Sequence, residues 1–201
     1  FIERGEDITV RGIVITDNSN GFFVASGGDQ EMLSKNITLE GSLLYGNGRA
    51  DSDREHNIYT EAYGMTIQYV YAGPLRKGAM GGALKDRSSG TVIRYSWIEG
   101  GARNIDLVEP QESWPLVQAD PEMLAAVRKS YVYGNVIIAA AGGSSRMIHY
   151  GGDSGLEDTY RKGTLYFFNN TVIVQANQSS GDNARWRTLL FDLPTAGETL
   201  D

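Results

Sequence analysis

The chain has 201 residues, 41% apolar and 21% charged, a balance that suits one folded domain with a substantial core and excludes intrinsic disorder. Its formal charge of -7 argues against a broad nucleic-acid-binding surface, which needs many Lys and Arg contacts, yet leaves room for a local basic groove facing an acidic polysaccharide. The lack of cysteine excludes disulfides and thiolate metal sites, and no apolar run reaches the roughly 18 to 20 residues of a membrane span.

The sequence starts at Phe1 with no export signal ahead of it. The expectation is therefore a fragment or processed form of a longer, secreted or periplasmic chain, with further coils outside it.

From there a repeat runs through the chain. Residues 8–15, 37–44, 65–72, 91–98, 130–137 and 165–172 share one pattern of alternating apolar and polar or small residues, rich in β-branched and aromatic side chains. Their anchors Val10, Leu39, Ile67, Ile93, Val132 and Phe167 lie 29, 28, 26, 39 and 35 residues apart, which is solenoid spacing with irregular loops. The alternation breaks after each anchor and resumes at Ile15, Leu44, Ala72, Ile98, Ile137 and Val172, so each unit predicts two short strands joined at a corner.

A further strand follows in every unit, with predicted inward anchors Phe23, Ile58, Leu84, Ile105, Ile148 and Leu190. Stacked in register, such units form parallel sheets around a continuous apolar interior. The fold class is all-β, a single domain over residues 1–201. Asn135 and Asn170 share one repeat position and are read either as stacked amides or as ordinary turn residues.

The longest step holds an insertion at residues 110–129. Within it, Asp120 before Pro121, with Arg128 and Lys129 at the far end, predicts one short amphipathic helix presenting Met123, Leu124 and Val127 and walling a groove.

Five stretches carry a resemblance: His56-Asn57-Ile58-Tyr59, Leu84-Lys85-Asp86-Arg87-Ser88, Ile105-Asp106-Leu107, Ile148-His149-Tyr150-Gly151 and Asn169-Asn170-Thr171. In this succession the chain resembles right-handed parallel β-helix repeat proteins of the pectate-lyase-like superfamily, over roughly residues 36–175. The resemblance implies a right-handed solenoid of about six coils, and lyases of this kind often use a basic residue and sometimes Ca²⁺. Where relatives continue with Pro, Asn and Gly after Ile105-Asp106-Leu107, this chain has Val108-Glu109-Pro110 and the insertion, so either the groove is remodelled or the ancestral activity is lost.

Residues flanking an inward anchor point outward, and equivalent positions stack about 4.8 Å apart across parallel strands. The position after each anchor reads Val24, Tyr59, Lys85, Asp106, His149 and Phe191, a column that places a phenol, an amine, a carboxylate and an imidazole side by side. The position before each anchor adds Asn57, Ala83, Asn104 and Met147, and Glu61 and Arg87 lie two positions beyond the column. The same column also reads as solvated polar residues, with Lys and Asp forming a stabilising cross-strand pair.

As a site, the column suggests β-elimination from a uronate polymer, with Lys85 as base, Arg87 binding or neutralising the sugar carboxylate, His149 and Tyr59 as proton donors, and Asp106 orienting Lys85 or accepting a metal. Asn57, Glu61, Asn104, Glu109 and Trp114 are the expected substrate contacts. A glycoside hydrolase would instead use Asp106 with Glu109, and a non-catalytic glycan-binding scaffold needs neither role. Asp51, Asp53 and Glu55 are the candidate Ca²⁺ ligands, although the run lacks the turn glycine and distal Glu of an EF-hand loop and so favours a solvated acidic loop, and His56 is read as a bonded corner histidine or a catalyst. Packing is the expected role of Trp97 and Trp186. Asn36-Ile37-Thr38, Asn169-Asn170-Thr171 and Asn177-Gln178-Ser179 match the glycosylation sequon, and Gly81-Gly82 and Gly142-Gly143 read as turns.

Overall fold

The computed structural model describes residues 1–140, 146–175 and 188–201; Trp186, Gly142-Gly143 and the sequon at Asn177 lie outside these. Among the described residues the chain is predominantly β and forms three sheets in which every strand pairing is parallel. The first sheet runs Ile2–Glu3, Phe22–Ala25, Ile58–Thr60, Leu84–Asp86, Arg103–Leu107, Arg146–Tyr150, Leu189–Asp192. The second runs Thr9–Arg11, Lys35–Glu40, Tyr63–Gln68, Ser89–Arg94, Lys129–Tyr133, Gly163–Phe168, Glu198–Leu200. The third runs Val14–Ile15, Leu43–Leu44, Tyr71–Ala72, Trp97–Glu99, Val136–Ala139, Thr171–Val174. The chain visits the three in rotation, so neighbours within a sheet are one circuit apart. No helix among the described residues is long and apolar enough to cross a membrane.

The corner between second and third sheets explains the broken alternation. Gly12, Gly41, Tyr69, Tyr95, Gly134 and Asn169 occupy it with φ of 67°, 55°, 55°, 52°, 67° and 54°. This left-handed backbone costs glycine little and asparagine modestly, while Tyr69 and Tyr95 bear more strain. Their rings stack at 5.5 Å. The next residue satisfies the turned backbone: Ser42 and Ser96 hydroxyls accept from the Ile13 and Val70 N–H groups. Asn135 Nδ2 donates to Asn170 Oδ1 at 3.0 Å, so the stacked-amide reading is the one the structure adopts.

The interior is a continuous apolar stack. Leu39, Ile67, Ile93 and Val132 from the second sheet, Leu44, Ala72 and Ile137 from the third, and Ile58, Leu84, Ile105 and Ile148 from the first are all fully buried. Each of the larger ones contributes about 1.5–3 kcal/mol relative to exposure.

The register differs from expectation at both ends. Phe22, not Phe23, pairs with Ile58 and points inward, and Phe191, not Leu190, pairs with Ile148. Consecutive apolar residues at 22–24 and 189–191 carry no alternation, and in a strand a slip of one residue exchanges the two faces. The outward column therefore reads Phe23, Tyr59, Lys85, Asp106, His149, Asp192, with Asp192 replacing Phe191 and Phe23 replacing Val24.

The residues before the anchors, expected on the outer face, are inside. Asn57, Ala83, Asn104 and Met147 are fully buried because the chain enters the first sheet through a corner that turns them inward. Asn57 Nδ2 bonds the Gly73 carbonyl at 2.7 Å, and Asn104 Nδ2 bonds that of Ile138 at 2.8 Å.

The insertion forms two helices, α1 (Trp114–Ala119) and α2 (Pro121–Val127), where one was expected. Asp120 caps α2 through the N–H groups of Glu122 and Met123, as its position predicts. The additional helix begins at Ser113-Trp114-Pro115, with proline in its first turn. Val117, Met123 and Val127 close over Leu33, with Tyr63, Trp114 and Leu124 packed against them. α2 packs on Ser89–Arg94 and Lys129–Tyr133, interior strands of the second sheet.

Candidate functional site

The outer face of the first sheet carries two adjoining depressions of about 390 and 520 Å³ that share Asp53, His56 and Lys85. The smaller is completed by Arg103, Asp106, Arg146 and Asp153, the larger by Phe23, Arg54, Tyr59, Arg87 and Gln111. Parallel pairing sets Lys85 directly between Tyr59 and Asp106, and Asp106 beside His149.

Asp106 is the hub of the smaller depression. Its carboxylate takes His149 Nδ1 at 2.7 Å, Arg103 Nη1 at 2.9 and 3.0 Å, and Lys85 Nζ at 3.6 Å. Burial pushes its pKa up, but the His149 bond and the charges of Lys85 and Arg103 outweigh burial and hold it well below the usual carboxylate range. An ionised partner fixes the His149 proton on Nδ1, and Nε2 has no hydrogen-bond partner among the described residues. His149 is itself buried, in the column beside Asp106.

Asp153 links the two depressions. It bonds Lys85 Nζ through one oxygen and Arg87 Nη2 at 3.0 Å through the other. Burial opposes its ionisation, yet the Lys85 bond and the charges of Lys85 and Arg87 keep its pKa lowered. Lys85 is thus held by two carboxylates, with Asp153 between it and Arg87.

Arg87 is buried and fully engaged. Nε donates to the Tyr59 hydroxyl at 3.0 Å, and Nη1 donates to the Glu109 carbonyl at 2.9 Å and carboxylate at 3.3 Å. Burial works against its charge, but Tyr59, Asp153 and Glu109 raise its pKa above the ordinary arginine value. Glu109 also accepts from the Asp153 and Ser154 N–H groups, locking the Gly151-Gly152-Asp153 loop over the face.

His56 stacks on Tyr59 with ring centroids 5.6 Å apart, and its Nδ1 accepts from the Gly82 N–H at 2.8 Å. Burial, then Lys85, lowers its pKa to about 4, so near neutral pH the imidazole is uncharged. With Nδ1 accepting, the proton sits on Nε2. His56 is both the bonded corner histidine and a wall of the two depressions.

Tyr59, Lys85, Arg87 and Asp106 come together on this face, with His149 next to Asp106 on the following strand. Glu109 lies under Arg87 rather than in the groove. Glu61 is turned away: its buried Oε1 accepts from Gln111 N, Ser113 N and the Ser113 hydroxyl, anchoring the insertion. Trp114 packs with the helices, and Asn57 and Asn104 bond backbone carbonyls at interior corners. Of the three acids in the loop Asp53 lines the depressions; Glu55 faces Arg49 at 3.8 Å, and Asp51 sits exposed in a left-handed turn. Among the described residues no group of three or more His, Asp or Glu is placed to hold a metal.

Asp153 and Arg103 were not singled out from sequence. The Gly151-Gly152 pair after His149-Tyr150 was the available signal for Asp153, because it lets the chain fold back across the strand ends. Searches found no matching family model, and neither a curated protein nor a solved structure matched the chain significantly.

Proposed function

We propose that the chain is a right-handed parallel β-helix of about six coils, of the pectate-lyase-like kind, acting outside the cytoplasm. The three parallel sheets visited in rotation and the stacked asparagines support this reading of the fold. Its first-sheet face binds an acidic, uronate-containing polysaccharide and cleaves it by β-elimination.

The observation that carries the function is the placing of Lys85 at the seam of both depressions, beside a tyrosine whose hydroxyl accepts from a buried arginine. In this scheme Lys85 and the Nε2–H of His56 hold the uronate carboxylate and draw charge from the adjacent C–H. Tyr59 oxygen takes that proton as the ring carbon–oxygen bond to the leaving sugar breaks and a carbon–carbon double bond forms. The same group then delivers the proton to the departing oxygen. Tyr59 acts as the phenolate: it is neutral between the two transfers, and Arg87 stabilises the negative charge it carries before the first and regains after the second.

This reassigns Lys85 from base to cation, because its amine already contacts two carboxylates. Asp106, itself bonded by His149, sets the position of Lys85 from the neighbouring strand. A hydrolase using Asp106 and Glu109 is disfavoured: its acid must hold a proton, whereas Asp106 stays ionised and Glu109 is saturated by Arg87, Asp153 and Ser154.

The test is ultraviolet detection of unsaturated products from polygalacturonate, alginate and other uronate polymers, with affinity electrophoresis in the same gels. Unsaturated product that disappears in Tyr59→Phe supports the scheme. Retardation by these polymers without product, abolished in Lys85→Ala, leaves a non-catalytic glycan-binding face and ends the lyase reading. No retardation and no product ends both.

A further inference from the structure

The third sheet carries a second feature, remote from the first-sheet depressions. Its outward column reads Val14, Leu43, Tyr71, Trp97 and Val136 in register. Two of its aromatic rings are held in place by specific partners. A Cβ on Gly73 would meet Tyr71 Cε1, Cζ and Oη at 2.6, 2.7 and 2.8 Å, so the Tyr71 ring lies across the bare backbone of Gly73. Trp97 Nε1 donates to Glu99 Oε2 at 3.0 Å, which pins the indole along its own strand.

Continuing the register by one residue sets Tyr45, Gly73 and Glu99 in one row. Tyr45 then flanks the bedded Tyr71 ring at 6.4 Å, and Glu99 flanks its other side. Burial, then Glu99 and Tyr45, raises the Tyr71 pKa, in keeping with three polar tips gathered at one rim. Tyr45 and Trp97 remain 39% and 42% exposed. By contrast, Phe23 and Tyr59 on the first sheet stack face to face at 5.0 Å, which leaves mainly ring edges for a ligand.

We propose that Tyr45, Tyr71 and Trp97 form a binding platform for a neutral sugar chain. A pyranose presents an apolar C–H face to a flat aromatic ring and a rim of hydroxyls to polar groups beside it. Both halves are present: aromatic rings held on the sheet face, with Tyr45 and Tyr71 inclined at 54° to each other, and the Tyr45 and Tyr71 hydroxyls with the Glu99 carboxylate around them. Glu99 selects against acidic sugars, so this platform and the first-sheet face take different parts of a glycan. A protein partner does not need the glycine bed, since a docking surface gains as much from a side chain at that position.

The experiment titrates the chain with neutral hexasaccharides of the cello, xylo, manno and β-1,3-gluco series, read by calorimetry and tryptophan fluorescence, with sedimentation velocity alongside. At least one series is expected to bind. Trp97→Ala and Gly73→Val, which tips the Tyr71 ring off its bed, should each weaken binding tenfold or more, and Lys85→Ala should leave it unchanged. Tyr71→Phe, which keeps the ring and the fold, should lose roughly threefold to tenfold. Absence of binding to all four series at millimolar sugar overturns the proposal, as does binding unchanged by Tyr71→Phe and Trp97→Ala. Self-association that Trp97→Ala abolishes while sugar binding is untouched also overturns it, and makes the face an interface between copies.

Discussion

Arg161 and Asp86 form an ion pair at 2.9 Å with both side chains wholly buried, directly beneath the strand that carries Lys85 and Arg87. The guanidinium also donates to the carbonyls of Asp86, Ser88 and Val108, and Asp86 accepts from Thr60 and Thr91 hydroxyls. One side chain thereby ties three successive circuits together under the candidate site.

Removing one partner of such a pair strands a buried charge. Arg161→Met is expected to destabilise the fold by about 3–5 kcal/mol, whereas Asp86→Leu with Arg161→Met should recover much of that loss. Urea denaturation of the two variants checks this, and equal losses in the single and double variants would show that the pair is not the source.

The pH dependence of stability has a window set by His56. Its folded pKa of about 4 lies below the 6.5 of an unfolded histidine, so the unfolded state binds the extra proton. Stability from this group is full above pH 6.5 and falls as the pH drops towards 4, by on the order of 3 kcal/mol at most. Glu61, raised by burial, acts with the opposite sign as the pH falls towards 4.5. His56→Asn, measured by urea denaturation between pH 4 and 7, should flatten the decline.

Glu61 accepts three hydrogen bonds from the entry to the insertion, so its loss should release that segment before the sheets. Glu61→Ala is expected to cost about 1–3 kcal/mol, with faster amide exchange and proteolysis at α1 and α2. Glu61→Gln keeps an acceptor oxygen and should behave nearly as the parent. Exchange that accelerates equally across all three sheets would contradict the assignment.

For the proposed elimination, Tyr59→Phe and Lys85→Met should separate. The phenol transfers the proton, so its loss should lower kcat by roughly 100-fold to 10,000-fold with KM little changed. The ammonium holds the carboxylate in ground and transition states, so Lys85→Met should raise KM as well as lower kcat. Steady-state kinetics on whichever uronate polymer yields unsaturated product measures both.

Much of the architecture was readable from the residues themselves. A half-buried strand must alternate, so the anchors from Val10 to Phe167 marked the second sheet, and the fixed break after each marked a corner. The same periodicity placed Tyr59, Lys85, Asp106 and His149 in one column, because outward positions of paired parallel strands stack. Asp120 announced α2 through cap chemistry that is local.

What the sequence could not decide was everything set by contacts across circuits. Where apolar residues run together, at Phe22-Phe23-Val24 and Leu189-Leu190-Phe191, only pairing with the next strand chose the inward face. Asn57 and Asn104 turned inward because a corner carries no periodicity of its own. Asp153 reached Lys85 and Arg87 from a loop 68 and 66 residues away in sequence, and its carboxylate makes Lys85 a paired cation in place of a free base. The column was a property of strand geometry; the charge each member carries there is a property of its neighbours, and only the folded chain supplies them.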